Sequence, residues 1–199
     1  MVTLNKKQFQ QIERQALRQN TVRRSLKSNI EKKFKRIQQK FLKAFDEHPV
    51  TVELMNGPTS SNISRTLDGV GNLYSYIGFS AGTDPIRPLR KILEKYRIDY
   101  HPHEFKIKID IILPTKEEVF AATPLPWASG RSWIKGIERG MSGVGEFLYR
   151  RRGIVKSKSG YAIQTRGKIR RSRFRNVSYI SSLLNEYYKE IKNLEKQVF

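Results

Sequence analysis

From about residue 5 to residue 46 the chain contains neither proline nor glycine, and its apolar residues fall on one side of a helix. Val22, Leu26, Ile30, Phe34, Ile37, Phe41 and Phe45 follow one another at steps of four, four, four, three, four and four. That period predicts one long helical face, with a break near Asn20-Thr21 where Thr21 or Ser25 caps a restart. The opposite face is Lys and Arg. Pro49 ends the helix. A basic amphipathic helix can also lie on an anionic membrane, but Phe34 to Phe45 reads better as a face packed against protein.

Downstream the pattern changes. Thr51-Val52-Glu53-Leu54 reads as a short strand, Asn56-Gly57-Pro58 as a turn, and the aromatic run Leu73 to Phe79 as a second strand. Gly82-Thr83-Asp84-Pro85 starts a helix that runs to about Tyr96, with Thr83 or Asp84 as cap and Pro85 in the first turn. Ile86, Leu89, Ile92 and Leu93 share its face. The strongest strand follows: Phe105, Ile107, Ile109, Ile111 and Leu113 alternate with Lys106, Lys108 and Asp110. Such alternation predicts an antiparallel sheet with one buried face and helices on one side. Lys116 to Ala121 continues as an edge or a turn of helix. Residues 123–149 are rich in Pro, Trp and Gly. There Trp133, Ile134 and Ile137 mark a short helix or turn, and Gly136, Gly140, Gly143 and Gly145 mark bends. Last comes a helix in which Val177, Ile180, Leu184, Tyr187, Ile191, Leu194 and Val198 form three heptads of an a/d seam. That seam lies either on the sheet or N-terminal helix, or on a second subunit.

The reading is therefore α+β. A long N-terminal helix (1–48) and a C-terminal helix (177–199) pack on a small antiparallel sheet in an α+β core (49–149), with a long basic loop (150–176) between core and last helix. The whole makes one domain.

Charge is concentrated in two places. Arg150, Arg151, Arg152, Lys156, Lys158, Arg166, Lys168, Arg170, Arg171, Arg173 and Arg175 lie in a stretch with no acidic residue. Residues 1–49 hold thirteen basic residues against four acidic. Together these supply twenty of the formal +21, and the other 124 residues are nearly neutral. A polyanionic partner is expected. The loop is expected to become ordered against that partner. Tyr149, Tyr161 and Phe174 either stack on unpaired bases or anchor the loop to the core. No recognition helix, aromatic RNA-binding signature or zinc finger is visible, so contact with phosphate or an acidic protein surface is expected to be blind to base sequence.

Signals for catalysis are weak. Gly140 to Gly145 has the order Gly-x-x-Gly-x-Gly, unlike the dinucleotide fingerprint, and no Walker lysine follows. His101-Pro102-His103-Glu104 with Asp99 is the only metal-like cluster. Its two histidines face opposite ways on a strand, and only His48 remains as a further imidazole. A nuclease would need carboxylates gathered around Mg²⁺, and Asp99, Glu104, Asp110, Glu117 and Glu118 read instead as a solvated face and a loop. The chain has no cysteine, which excludes disulfides and thiolate metal sites. No signal peptide is visible, and no run approaches the roughly 18 apolar residues of a membrane span. No catalytic residue, cofactor or metal is expected.

The order of elements resembles the small head–tail connector and tail-completion proteins of tailed bacteriophages, also called neck or minor tail proteins. The likeness lies in the basic N-terminal helix, the strand-rich middle and the segment Trp127-Ala-Ser-Gly-Arg-Ser-Trp133-Ile-Lys-Gly-Ile-Glu-Arg-Gly140. It continues through Ser157-Lys-Ser-Gly-Tyr-Ala-Ile-Gln164 to a helix beginning near Val177. The resemblance implies a structural subunit of the virion that assembles as a homo-oligomeric ring, commonly hexameric, around the DNA channel. Its partners would be neighbouring neck or adaptor proteins, tail-tube or terminator proteins, and the packaged DNA backbone. It would be assembled in the host cytoplasm and reside at the neck or tail end, with no membrane. Trp127, Trp133, Ile180, Leu184, Tyr187 and Ile191 are the expected subunit-interface residues. The N-terminal helix and the basic loop are both longer than the family's, which leaves open which ring of the neck is formed. A sequence-nonspecific RNA- or ribosome-associated module is the alternative from another class, and a metal-dependent nuclease comes third.

Overall fold

The computed structural model describes residues 20–69, 71–102, 107–141 and 174–198, with the isolated positions 7, 11 and 15. Helix α1 (Asn20–Glu47) carries the long stripe, and Ile30, Phe34, Phe41 and Phe45 are buried along it. The C-terminal helix, numbered α7 below (Ile180–Val198), covers that stripe. Phe45 meets Tyr179 at 6.1 Å between ring centroids, while Phe34 and Phe41 meet Tyr187 at 6.3 and 4.4 Å. Rising numbers on α1 thus meet falling numbers on the C-terminal segment, so the two run antiparallel. Lys40 pairs with Glu190 across the edge of the seam.

Between them come α2 (Pro49–Met55), a 3-10 turn (Gly57–Thr59), α3 (Leu73–Ile77) and α4 (Ile86–Leu93). Then follow β1 (Arg97–Pro102), β2 (Ile107–Ile112), α5 (Lys116–Ala121), β3 (Pro124–Leu125), β4 (Ala128–Ser132) and α6 (Trp133–Arg139). The fold is α+β, and the described residues form two separate two-stranded antiparallel ribbons, β1–β2 and β3–β4. The core gathers around Trp133, which is only 1% exposed. Its ring meets Phe79 edge-on at 6.1 Å and stacks near Tyr179 at 6.4 Å. Arg90 of α4 holds Asp46 of α1 with two parallel bonds of 3.0 and 3.1 Å.

Two expected elements change type, and a third takes the helical one of its two expected forms. Thr51 to Leu54 is helical, within α2. His48 caps that helix, its Nδ1 accepting from the Val50 N–H, and Pro49 sits in the first turn, where a missing N–H costs nothing. Leu73 to Ile77 is helical rather than extended. The Asn72 side chain accepts from the Ser75 N–H at its start, and Gly78 closes it at φ 90. Lys116 to Ala121 is a helix whose first turn carries a capping box, with Thr115 and Glu118 bonding each other's backbone N–H. The Asp84 carboxylate caps α4 as expected, accepting from Ile86 and Arg87, but the helix ends at Leu93.

The expected sheet is smaller than the alternation suggests. Tyr100 pairs with Ile109 and Ile98 with Ile111, so these four share one face of the first ribbon. They are half-buried, and Ile98 and Ile111 touch the core. The Tyr100 hydroxyl reaches the Lys27 carbonyl at 3.4 Å, and the Lys27 ammonium lies 4.8 Å from the Tyr100 ring centre. This leans the ribbon on the N-terminal half of α1. Among the described residues no helix is long and apolar enough to cross a membrane.

Candidate polyanion-facing surface

The described residues on either side of the basic segment both reach α6. On the outgoing side α6 ends at Arg139, and Gly140 follows at φ 99. Met141 then folds back on Gly136, where an added Cβ would come within 3.2 Å of the Met141 Cγ. On the returning side Phe174 stacks on Tyr76 at 5.5 Å, which agrees with the anchoring reading of that ring. The Val177 N–H donates to the Ile137 carbonyl at 3.3 Å. Glu138 then caps the start of the last helix, one carboxylate oxygen accepting from Tyr179 at 3.3 Å and Ser181 at 2.7 Å. The outgoing end is thus part of α6, and the returning end is held first by Tyr76 and then by α6. Residues 142–173 lie outside the described residues, and with them Arg150, Arg151, Arg152, Lys156, Lys158, Arg166, Lys168, Arg170, Arg171 and Arg173.

Arg175 alone of the basic run is described. Its N–H donates to the Thr66 carbonyl at 2.8 Å, and its guanidinium holds Asp68 at 2.6 Å. It therefore works as a tether of the run, with its charge already paired. The loop that receives it is built on a carboxylate that sequence reasoning missed. Glu53 is fully buried. It accepts from the Asn62 side chain at 3.0 and 3.2 Å, from the Ser64 N–H at 2.8 Å and from the Leu73 N–H at 2.7 Å. Asn62 in turn accepts from the Leu67 and Gly69 N–H groups at 2.8 and 3.1 Å. These bonds hold Arg65 and Asp68 in the left-handed region, each at φ 55. A buried carboxylate is tolerable only when its oxygens are bonded this fully.

A second cationic surface lies on α1. Lys32, Arg36 and Lys43 stand on the side opposite Phe34 and Phe41, with Arg24 and Lys35 on one flank, and all are exposed. Lys43 faces Glu47 at 3.8 Å. Arg24, Lys32, Lys35 and Arg36 have no ion pair among the described residues.

The carboxylates weighed for metal chemistry are brought only partly together. Asp99 and Asp110 sit directly across the β1–β2 ladder. Each already has a cation: Arg97 lies 3.1 Å from Asp99, and Lys108 lies 3.0 Å from Asp110, where His101 adds a contact at 3.3 Å. Glu118 is spent in its capping box. Glu104 and His103 lie outside the described residues. No group of three or more potential metal ligands converges among the described residues.

The expected interface residues need correction. Trp133, Ile180, Leu184, Tyr187 and Ile191 are buried within the single chain, where they close the α1–α7 seam and the core around it. A second subunit cannot reach them without opening that core. Trp127 is half-buried; its indole N–H donates to the Ile77 carbonyl at 2.7 Å, and the Arg131 guanidinium lies 5.6 Å from its ring centre.

A groove of about 700 Å³ opens beside α6, between it, α5 and the β3–β4 hairpin. Arg131, Lys135 and Arg139 line it at intervals of four residues, and Glu117 is on its rim. That spacing was legible; the hollow it borders was not, because three separate elements form it. No protein-family model matches the chain, and neither a curated protein nor a solved structure matches it.

Proposed function

We propose that the chain is a non-enzymatic structural subunit that presents a basic arm to a polyanion, and that it serves as a tail-completion or neck-ring subunit of a tailed phage. The observation that carries this reading is the root of the arm. Residues 142–173 hold ten basic residues and one acidic residue; the chain before them ends α6, and the chain after them is held by Tyr76, Thr66, Asp68 and α6. The described core closes without the ten basic residues of this segment. The bare cations of α1 add a second surface of the same sign. Phosphate contact of this kind raises affinity for any nucleic acid and reads no base. Around a DNA channel that is what a ring subunit needs. Charge of this size also makes copies repel, so ring assembly would draw on DNA or an acidic neighbour to offset it.

The test is the particle. Virions purified to homogeneity are expected to contain the chain at a fixed ratio to their portal protein, measured by quantitative mass spectrometry. Its absence from particles, with tight binding to one folded RNA, would sink the proposal in favour of the RNA-associated reading.

A further inference from the structure

We propose that the groove beside α6 is a docking site for an acidic, partly apolar segment of another protein. Its floor is apolar: Phe120 is half-buried, Leu125 is buried, and Gly136 adds no side chain. Its α6 wall is cationic. Lys135 and Arg139 are exposed, one helical turn apart, with no ion pair among the described residues. Arg131 extends the row from β4, held over the Trp127 ring.

Two features together select the occupant. The cations select carboxylates or phosphates. The floor selects apolar side chains, which a phosphodiester strand, charged along its whole length, does not offer. An extended peptide satisfies both, because its side chains alternate between two faces. Residues on one of those faces recur about every 7 Å, close to the roughly 5–6 Å between Cβ atoms one turn apart on a helix. Acidic residues on one side would meet Lys135 and Arg139 while the alternate apolar ones met Phe120 and Leu125. This chain does not supply such a segment itself. No two of its acidic residues stand two apart, the spacing such alternation requires, and the adjacent pair Glu117-Glu118 begins at the groove itself. The occupant is therefore a different protein. The site is a property of the single chain, so failure to find the protein in particles and failure of the groove to bind are separate results.

The test is fluorescence anisotropy on the full chain with three labelled probes of equal formal charge. They are a peptide alternating Asp and Leu, one alternating Asp and Ser, and an oligo-dT. The groove variant is Lys135→Gln with Arg139→Gln; the control is Lys32→Gln with Arg36→Gln on α1. All four positions are exposed, and thermal melts establish that both variants fold. The groove variant is expected to weaken the Asp-Leu peptide by about tenfold or more and the oligo-dT by less than about twofold. The α1 variant is expected to do the reverse. The Asp-Ser peptide is expected to bind the unaltered chain about fivefold more weakly than the Asp-Leu peptide. An Asp-Leu affinity untouched by the groove variant overturns the proposal. So does an oligo-dT loss as large as the peptide loss, which would make the groove part of a nucleic-acid surface. Equal binding of the two peptides would remove the apolar half of the claim.

Discussion

The α1–α7 seam and the β1–β2 ribbon are both amphipathic in sequence, yet only one of them closes. In the seam, Phe34, Phe41 and Phe45 meet Tyr179 and Tyr187, and every one of these rings is 5% exposed or less. In the ribbon, Ile98, Tyr100, Ile109 and Ile111 remain half-buried, and Ile112 on the other face is 43% exposed. Length and neighbours explain the difference. Two long helices present stripes to each other, and Tyr96, 4.7 Å from Phe34, helps to close one end. Two strands cannot cover their own face, and here the cover is one flank of α1 near Lys27. Most of the buried core lies on the helices. The ribbon is carried on them.

If that ranking holds, side-chain deletion must separate the two regions sharply. Phe41→Ala removes a buried ring stacked on Tyr187 and is expected to cost about 3–5 kcal/mol. Ile109→Ala in the ribbon is expected to cost about 1 kcal/mol. Urea titration measures both. Equal losses would mean the ribbon belongs to the same cooperative core, and the comparison would fail.

The arm's root makes the next contrast, because it rests on polar bonds where the seam rests on apolar ones. Glu53→Gln keeps the shape but replaces one acceptor oxygen with a donor amide facing Asn62, Ser64 and Leu73 N–H groups. The expected cost is about 2–3 kcal/mol, as for hydrogen bonds to a charged group. Hydrogen exchange should rise across residues 56–69, the loop that holds Arg175, while the α1–α7 seam keeps its protection. Uniform loss across the molecule would show that the loop is not a separate unit.

How far each region was legible follows the same division. The seam was readable because its period persists over many turns, and no strand imitates that. Short segments were not. Val-Glu-Leu and Leu-Tyr-Ser-Tyr fit a strand's alternation and a helical turn equally well, so periodicity could not decide them. The caps could have: Asn72 with Gly78, and Thr115 with Glu118, are helix signals that stand in the sequence. Glu53 had no local signal at all. Its three partners come from positions nine to twenty residues later, and only the folded loop brings them together. The seam residues assigned to a subunit contact show the reverse limit. An a/d pattern states that a face will be covered, and it does not state by what.

The smallest expected effect lies at His48, where the seam meets α2. Its ring lies 4.7 Å from Tyr179 at the end of the seam, and its Nδ1 accepts from Val50 to start α2. Burial lowers its pKa from the usual value. The charged groups nearest in sequence are Asp46, Glu47 and Glu53; Asp46 is bonded to Arg90, Glu47 faces Lys43 and Glu53 is spent on its loop. A depressed pKa in the folded state means that the unfolded chain binds the proton more readily. Stability from this group is therefore full above about pH 6.5, the unfolded value, and declines as pH falls below it. Protonation also removes the acceptor that caps α2, which acts in the same direction. Thermal melts from neutral pH down to about 5 should show a decline that His48→Asn reduces, since Asn caps without titrating there. A slope unchanged by that substitution would assign the acid sensitivity to the carboxylates. The α1–α2 junction would then be as indifferent to pH as the aromatic seam beside it.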